Sequence, residues 1–177
     1  MPMSETDALD VQARTPKFVV VCGLPGVGKT TVAEDIADRL DGRLLRTDVI
    51  RKDILSDPQY TEEESRTVYG EMFDRAQGTV ESGRSVVLDG TFKDTGYRNR
   101  AVELSEALDA DFELVKVECA EDVVRNRIRS RQDDASDADF EVYTMYRDSF
   151  DPISRDHLTV DNSAGLDETV RQVDERF

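Results

Sequence analysis

Five short apolar segments, each separated from the next by at least one stretch with helical spacing, organise this chain. The first, Phe18-Val19-Val20-Val21-Cys22, is a continuous apolar run and reads as a strand. Val32, Ile36, Ala37 and Leu40 then recur at helical spacing until Asp41-Gly42 supplies a stop. Residues 43–47 predict a short second strand ending at Asp48, followed by a helical start through Ile50, Ile54 and Leu55. Asp57-Pro58 breaks the chain, and Thr61-Glu62-Glu63-Glu64 has the form of a capping box. It opens a helix through Val68, Tyr69, Met72, Phe73, Ala76 and Val80 that ends at Gly83. Residues 85–88 form the third strand, with Asp89-Gly90-Thr91 at its carboxyl end, and a helix over 97–108 follows. Alternation and β-branched content over 112–119 predict the fourth strand. Residues 121–131 read as helix, the acidic stretch 132–139 as a mobile loop, and 140–150 as helix again. A fifth strand over 157–161 and a closing helix over 167–177 complete the order.

Strands alternating with helices imply an α/β fold, a parallel sheet with helices on both faces. Ligands of such a sheet bind beyond the carboxyl ends of the strands, which gathers residues 23–31, Asp48 and Asp89 around one crevice. At 177 residues the chain is expected to be one domain over 17–177, with 1–16 as a disordered tail. No apolar stretch approaches the ~20 residues of a membrane span, and residues 1–16 lack the apolar core of a signal peptide. The expectation is a cytoplasmic protein with no membrane partner, either a monomer or a weak homodimer.

The loop after the first strand is Gly23-Leu24-Pro25-Gly26-Val27-Gly28-Lys29-Thr30-Thr31. A strand, then G-x-x-x-x-G-K-T, then a helix is what a nucleotide-phosphate cradle requires, and it points to ATP or GTP. Its glycines allow positive-φ turns and close backbone approach, and the helix start adds unpaired N–H groups and a positive dipole end. Lys29 would reach the β- and γ-phosphates, the Thr30 hydroxyl would sit on Mg²⁺, and Thr31 would touch the α-phosphate.

Charge changes the picture of the partners. The chain carries 23 Lys and Arg against 39 Asp and Glu, a net charge of −16. No basic stripe is available for long nucleic acid, so that class is disfavoured. So acidic a surface repels itself at low salt, which suggests a salt-loving host. The expected result is a circular dichroism melt that shifts upward with added KCl, and a melt insensitive to KCl would contradict it. Cys22 and Cys119 fall in apolar segments and are read as buried free thiols, and one histidine, His157, excludes a His-rich metal site.

The other strand ends discriminate among phosphate chemistries, because the loop alone serves kinases, GTPases and ATPases. No N-K-x-D guanine reader is present, and Leu88-Asp89-Gly90 lacks the adjacent Glu usual in motor and transporter ATPases. Asp48 sits where an acceptor hydroxyl could be deprotonated, with Arg51 one helical turn later to hold an anionic acceptor. Asp89 could complete the Mg²⁺ shell or contact the acceptor. Arg125, Arg127, Arg129 and Arg131 precede the acidic stretch, and Arg127 with Arg131 share a helix face from which a lid over about 125–140 could bring guanidinium groups to the transferring phosphoryl.

These segments together resemble the P-loop kinases of the AAA-domain type. The resemblance is carried by the glycine loop, by Leu45-Arg46-Thr47-Asp48-Val49-Ile50-Arg51-Lys52, and by Val86-Val87-Leu88-Asp89-Gly90-Thr91-Phe92 with Arg98. Arg127-Ile128-x-x-Arg131 and Ser136-Asp137-Ala138-Asp139 extend it over residues 17–165. The group is similar to polynucleotide 5′-kinases, zeta toxins, gluconate kinases and adenylylsulfate kinases. The resemblance implies a three-layer α/β/α P-loop fold with a five-stranded parallel sheet, nucleoside-kinase-like, with a small lid. It implies Asp48 as general base and Arg51 as holder of an acceptor phosphate, with Asp89 and Arg98 nearby, and adenine resting near Asn162 and Ser163. The expected activity is transfer of the γ-phosphoryl of ATP to a hydroxyl of a small or nucleotide-like acceptor, with Mg²⁺. A regulatory nucleotide switch and a polynucleotide 5′-hydroxyl kinase are the alternatives.

Overall fold

The apolar runs become five strands, β1 (Lys17–Cys22), β2 (Arg43–Arg46), β3 (Val86–Asp89), β4 (Asp111–Glu118) and β5 (Leu158–Asp161). The computed structural model describes residues 15–131 and 136–177, with 131 and 136–139 described through their backbone alone. The strands are all parallel and lie in the order β2-β3-β1-β4-β5. Parallel neighbours cannot be joined by a tight hairpin, so helical crossovers connect them. These are α1 (Lys29–Leu40), α2 (Thr47–Ile54), α3 (Glu62–Glu81), α4 (Thr95–Ala107), α5 (Glu121–Arg131) and α6 (Ser136–Ser149), and α7 (Leu166–Asp174) follows the last strand.

The run at 18–22 is unbroken because β1 is central and covered on both faces. Phe18, Val20 and Cys22 pack with Ile50 of α2, Met72 and Phe73 of α3 and Ala101 of α4. Val19 and Val21 point the other way, into Val32 and Ile36 of α1, Val124 and Ile128 of α5, Tyr143 of α6 and Val173 of α7. Two apolar cores on either side of one sheet make the three-layer α/β/α fold that the alternation implies. Among the described residues no helix is long and apolar enough to cross a membrane.

Three local expectations need correction. Residues 136–139 belong to α6 rather than to a loop that runs to 139. Acidic residues favour the positive end of a helix, so that stretch suits a helix start as well as a solvated loop, and Tyr143 anchors the helix by burial. The capping box at Thr61 is half formed: the Thr61 hydroxyl accepts from the Glu64 N–H at 3.2 Å. The Glu64 carboxylate turns to the N–H groups of Gln59 and Tyr60, at 2.7 and 2.6 Å, which hold it below the usual carboxylate range. Both cysteines are free, but only Cys22 is buried, since β4 ends one residue before Cys119.

Candidate active site

The turn from β1 into α1 is held open by glycine where nothing else fits. Gly28 caps α1 with φ 89°, and a Cβ there would lie 2.1 Å from Asn162 Nδ2. At Gly23 a Cβ would lie 2.5 Å from the Val117 carbonyl oxygen. No side chain caps α1 among the described residues and its first turn carries no acidic residue, so the helix presents free N–H groups and its positive end to whatever the loop encloses. Asn162, after β5, braces this turn. Its Nδ2 donates to the Val27 carbonyl at 2.9 Å, and its Oδ1 accepts from Thr169 at 2.6 Å. Asn162, expected near adenine, lines the cavity, but its buried side-chain amide is committed to the loop and to Thr169.

Lys29 Nζ donates back to the Leu24 carbonyl of its own loop at 3.1 Å. Burial lowers its pKa, opposed by the charges of Asp89 and Asp48. Asp89, at the end of β3, accepts from the Thr30 hydroxyl at 2.7 Å. Burial raises its carboxyl above the usual range, against the Thr30 hydrogen bond and the charges of Lys29 and Arg46. The sheet thus sets a buried carboxylate, a hydroxyl and an ammonium group together at its carboxyl edge, with strand order doing the placing: β3 and β1 are neighbours.

Asp48 opens α2 with its carboxylate exposed to the same cavity. Arg51 lines that cavity too but is largely buried, 3.4 Å from Glu64 and from Ser65 Oγ, with its guanidinium 4.8 Å from the centre of the Tyr60 ring. It does not pair with Asp48. Opposite lie Lys93, 6.0 Å from the centre of the Tyr146 ring, and Tyr97, stacked on Tyr69 at 4.1 Å. Arg98 is elsewhere. It is buried under α4, where Nη2 donates to the carbonyls of Asp151 at 2.7 Å and Lys93 at 3.2 Å, with Phe150 against its guanidinium. The expectation of an acceptor contact fails there because the inward face of α4 carries the side chain away from the cavity.

Arg127 of α5 reaches the loop, with Nη2 donating to the Asn162 carbonyl at 2.6 Å and Nη1 to Cys119 Sγ at 3.5 Å. The Arg131 side chain lies outside the described residues, as does the stretch 132–135 of the expected lid. The shared cavity has a volume of about 1170 Å³, more than a single small ligand needs and enough for a nucleotide with a second molecule. Lys29, Arg46, Arg51, Lys93 and Arg127 line it against Asp48, Asp89 and Asp94, so the cavity is locally basic on a chain of net charge −16. Pro25, Gly26, Gly28, Thr30 and Thr31 contribute its floor. Gly23, Leu24 and Val27 shape the loop from behind. Arg46, Lys93, Tyr60, Tyr97 and Tyr146 are cavity residues that the sequence did not single out. Only Arg46 and Lys93 carried a signal, as cations at a strand end and four residues beyond one.

Comparison with known proteins agrees with the fold. An uncharacterized protein of Mycobacterium tuberculosis strain H37Rv and its counterpart in Mycobacterium bovis are each 31% identical over 146 residues, covering 75% of this chain and 29% of the relative. The chain thus spans 29% of the length of those curated relatives. A gluconokinase from Sinorhizobium meliloti superimposes with a TM-score of 0.69 at 22% identity, covering 90% of each chain. The Mycobacterium tuberculosis APS kinase solved with AMPPNP and APS superimposes at 0.71 and 16% identity, covering 91% of this chain and 96% of its own. A sugar kinase from Janibacter sp. HTCC2649 gives 0.65 at 18% identity, covering 91% of both. At these identities the structures show a shared fold. The family described as AAA domain matches residues 18–153, and with the glycine loop in place the chain belongs to that family of P-loop domains.

Proposed function

We propose that this protein is an ATP-dependent kinase that moves the γ-phosphoryl group to a hydroxyl of a small, ring-bearing acceptor. The observation that carries the reading is the Thr30–Asp89 contact of 2.7 Å in a cavity that Asp48 and Arg51 also line. The open helix end and glycine turn suit a polyphosphate. Thr30 and Asp89 offer two hard oxygens, which fit Mg²⁺, an ion that keeps most of its shell as water and phosphate oxygen. When bound, Mg²⁺ would neutralise charge between the phosphates.

In this reading the chain's own residues do the positioning. Lys29 leaves the Leu24 carbonyl for the β- and γ-phosphate oxygens, and Arg127 meets the phosphates from α5. Asp48 accepts the proton of the acceptor hydroxyl as its oxygen bonds to the γ-phosphorus, while the bond from phosphorus to the β,γ-bridging oxygen breaks and ADP leaves. Tyr60, Tyr97 and Tyr146 offer rings to the acceptor, and Arg51 and Lys93 stand ready for an anionic group on it. Arg131 would add a second guanidinium from the same helix.

Lys29→Ala is expected to abolish ATP turnover by removing the ammonium group that donates within the loop, a loss of about 10²–10³-fold or more. Turnover retained by that variant, measured as ADP release with Mg²⁺ in molar KCl, would overturn the assignment of the loop.

A further inference from the structure

We infer that Arg46 is the resident counter-cation of the Asp89 carboxylate, and that a divalent cation must displace it to reach that carboxylate. The inference rests on the reading of Thr30 and Asp89 as metal ligands. Arg46 and Asp89 are Cα partners in the β2–β3 register, so both side chains leave one face of the sheet at its carboxyl edge. Arg46 Nε stands 3.5 Å from Asp89 Oδ2, an ion pair without a hydrogen bond. That Nε is buried and has no hydrogen-bond partner. A buried N–H left in this state is costly, and it marks a site that is completed only when something else arrives.

The exposures say which partner moves. The Asp89 side chain is 6% exposed and fixed by Thr30, whereas the Arg46 side chain is 35% exposed and lines the cavity. Arg46 can swing outward, and Asp89 cannot. Without nucleotide, the guanidinium neutralises the carboxylate and opposes a divalent cation by charge and by occupancy. Phosphate oxygens in the cavity would give the planar guanidinium fork a better-matched partner and supply the acceptor that Nε lacks. Arg46 thereby couples the two events: the metal enters with the nucleotide and binds poorly alone. This is a positioning role, exerted through Asp89.

The test is Mn²⁺ binding to the full chain without nucleotide, followed by electron paramagnetic resonance of the free ion. Molar KCl suppresses loose binding to the acidic surface. Removing an opposing charge at this distance should tighten binding by about one order of magnitude in Arg46→Gln, while Arg46→Lys stays near wild type. The double variant Arg46→Gln/Asp89→Asn should return to weak binding. Equal affinity in wild type and Arg46→Gln, or no binding in either, would overturn the inference. If the affinities are equal and Asp89→Asn weakens Mn²⁺ binding, the metal-ligand reading survives without Arg46's role. Tight binding that persists in the double variant would sink both.

Discussion

Replacing Asp48 by Asn is expected to cut phosphoryl transfer by about 10²–10⁴-fold while leaving nucleotide affinity unchanged. The substitution keeps size and polarity at the first turn of α2 but removes the charge and basicity needed to take a proton. Among the described residues no hydrogen bond or ion pair ties Asp48 to the loop that would hold the phosphates, and Asp48 is exposed and lines the cavity. Its loss should therefore neither unfold α2 nor reshape the cradle. The two halves of the expectation separate a base from a structural carboxylate. A cap or surface ion pair would change the melting temperature slightly and transfer hardly at all. The check is single-turnover transfer alongside titration with a fluorescent ATP analogue. Transfer at the wild-type rate would remove Asp48 from the mechanism, and lost nucleotide affinity would make it part of the binding site instead.

Gly28→Ala is expected to be the most damaging change of a single methyl group. Its φ of 89° is a conformation that an L-residue adopts at a cost of about 1–3 kcal/mol. The new Cβ would also sit 2.1 Å from Asn162 Nδ2, the group that donates to the Val27 carbonyl. Relief requires the loop, the end of β5 or the Asn162 side chain to move, and each motion breaks the brace that orients the N–H groups of α1. Nucleotide affinity should fall by about a hundredfold, or ~2.7 kcal/mol, and the melting temperature should drop as well. A second substitution, Asn162→Ala, relieves the clash but not the φ strain or the missing brace, so it should restore only part of the stability and little of the affinity. Thermal melts and nucleotide titrations of the single and double variants distinguish these contributions. Wild-type affinity in Gly28→Ala would mean that the loop is not a phosphate cradle.

The parts of this fold that were legible in the sequence are those fixed by local pattern. The unbroken apolar run at 18–22 marks a strand covered on both faces, and the glycine loop after it has a meaning only between a strand and a helix. The bounds of α5 at Glu121 and Arg131 also follow from local composition. What escaped depends on register and on facing. Arg46 and Asp89 meet because β2 and β3 pair in one particular register, and no spacing along the chain encodes that. Asn162 braces Val27 because β5 ends behind the loop, a consequence of strand order. Arg98 lies close in sequence to Asp89, yet the orientation of α4 buries it against the Asp151 carbonyl. Glu64 fits the spacing of a capping box, but two N–H groups of the preceding turn compete for its carboxylate and win.

The same distinction explains why the acceptor is harder to read than the nucleotide. A phosphate cradle is one contiguous segment. The proposed acceptor side draws on α2, the segment before α3, the segment after β3, α4 and α6, each contributing one or two side chains.

The central claim is transfer of a phosphoryl group to a hydroxyl, and its most direct test is to follow label from [γ-³²P]ATP with Mg²⁺ in molar KCl. The acceptors to offer are sugars, nucleosides, aminoglycosides and a 5′-hydroxyl oligonucleotide, with wild type and Asp48→Asn in parallel. The account predicts label on one class of small acceptor, with wild type only. Label released solely as free phosphate, at a rate that no acceptor changes, would contradict it and point to a nucleotide-hydrolysing switch.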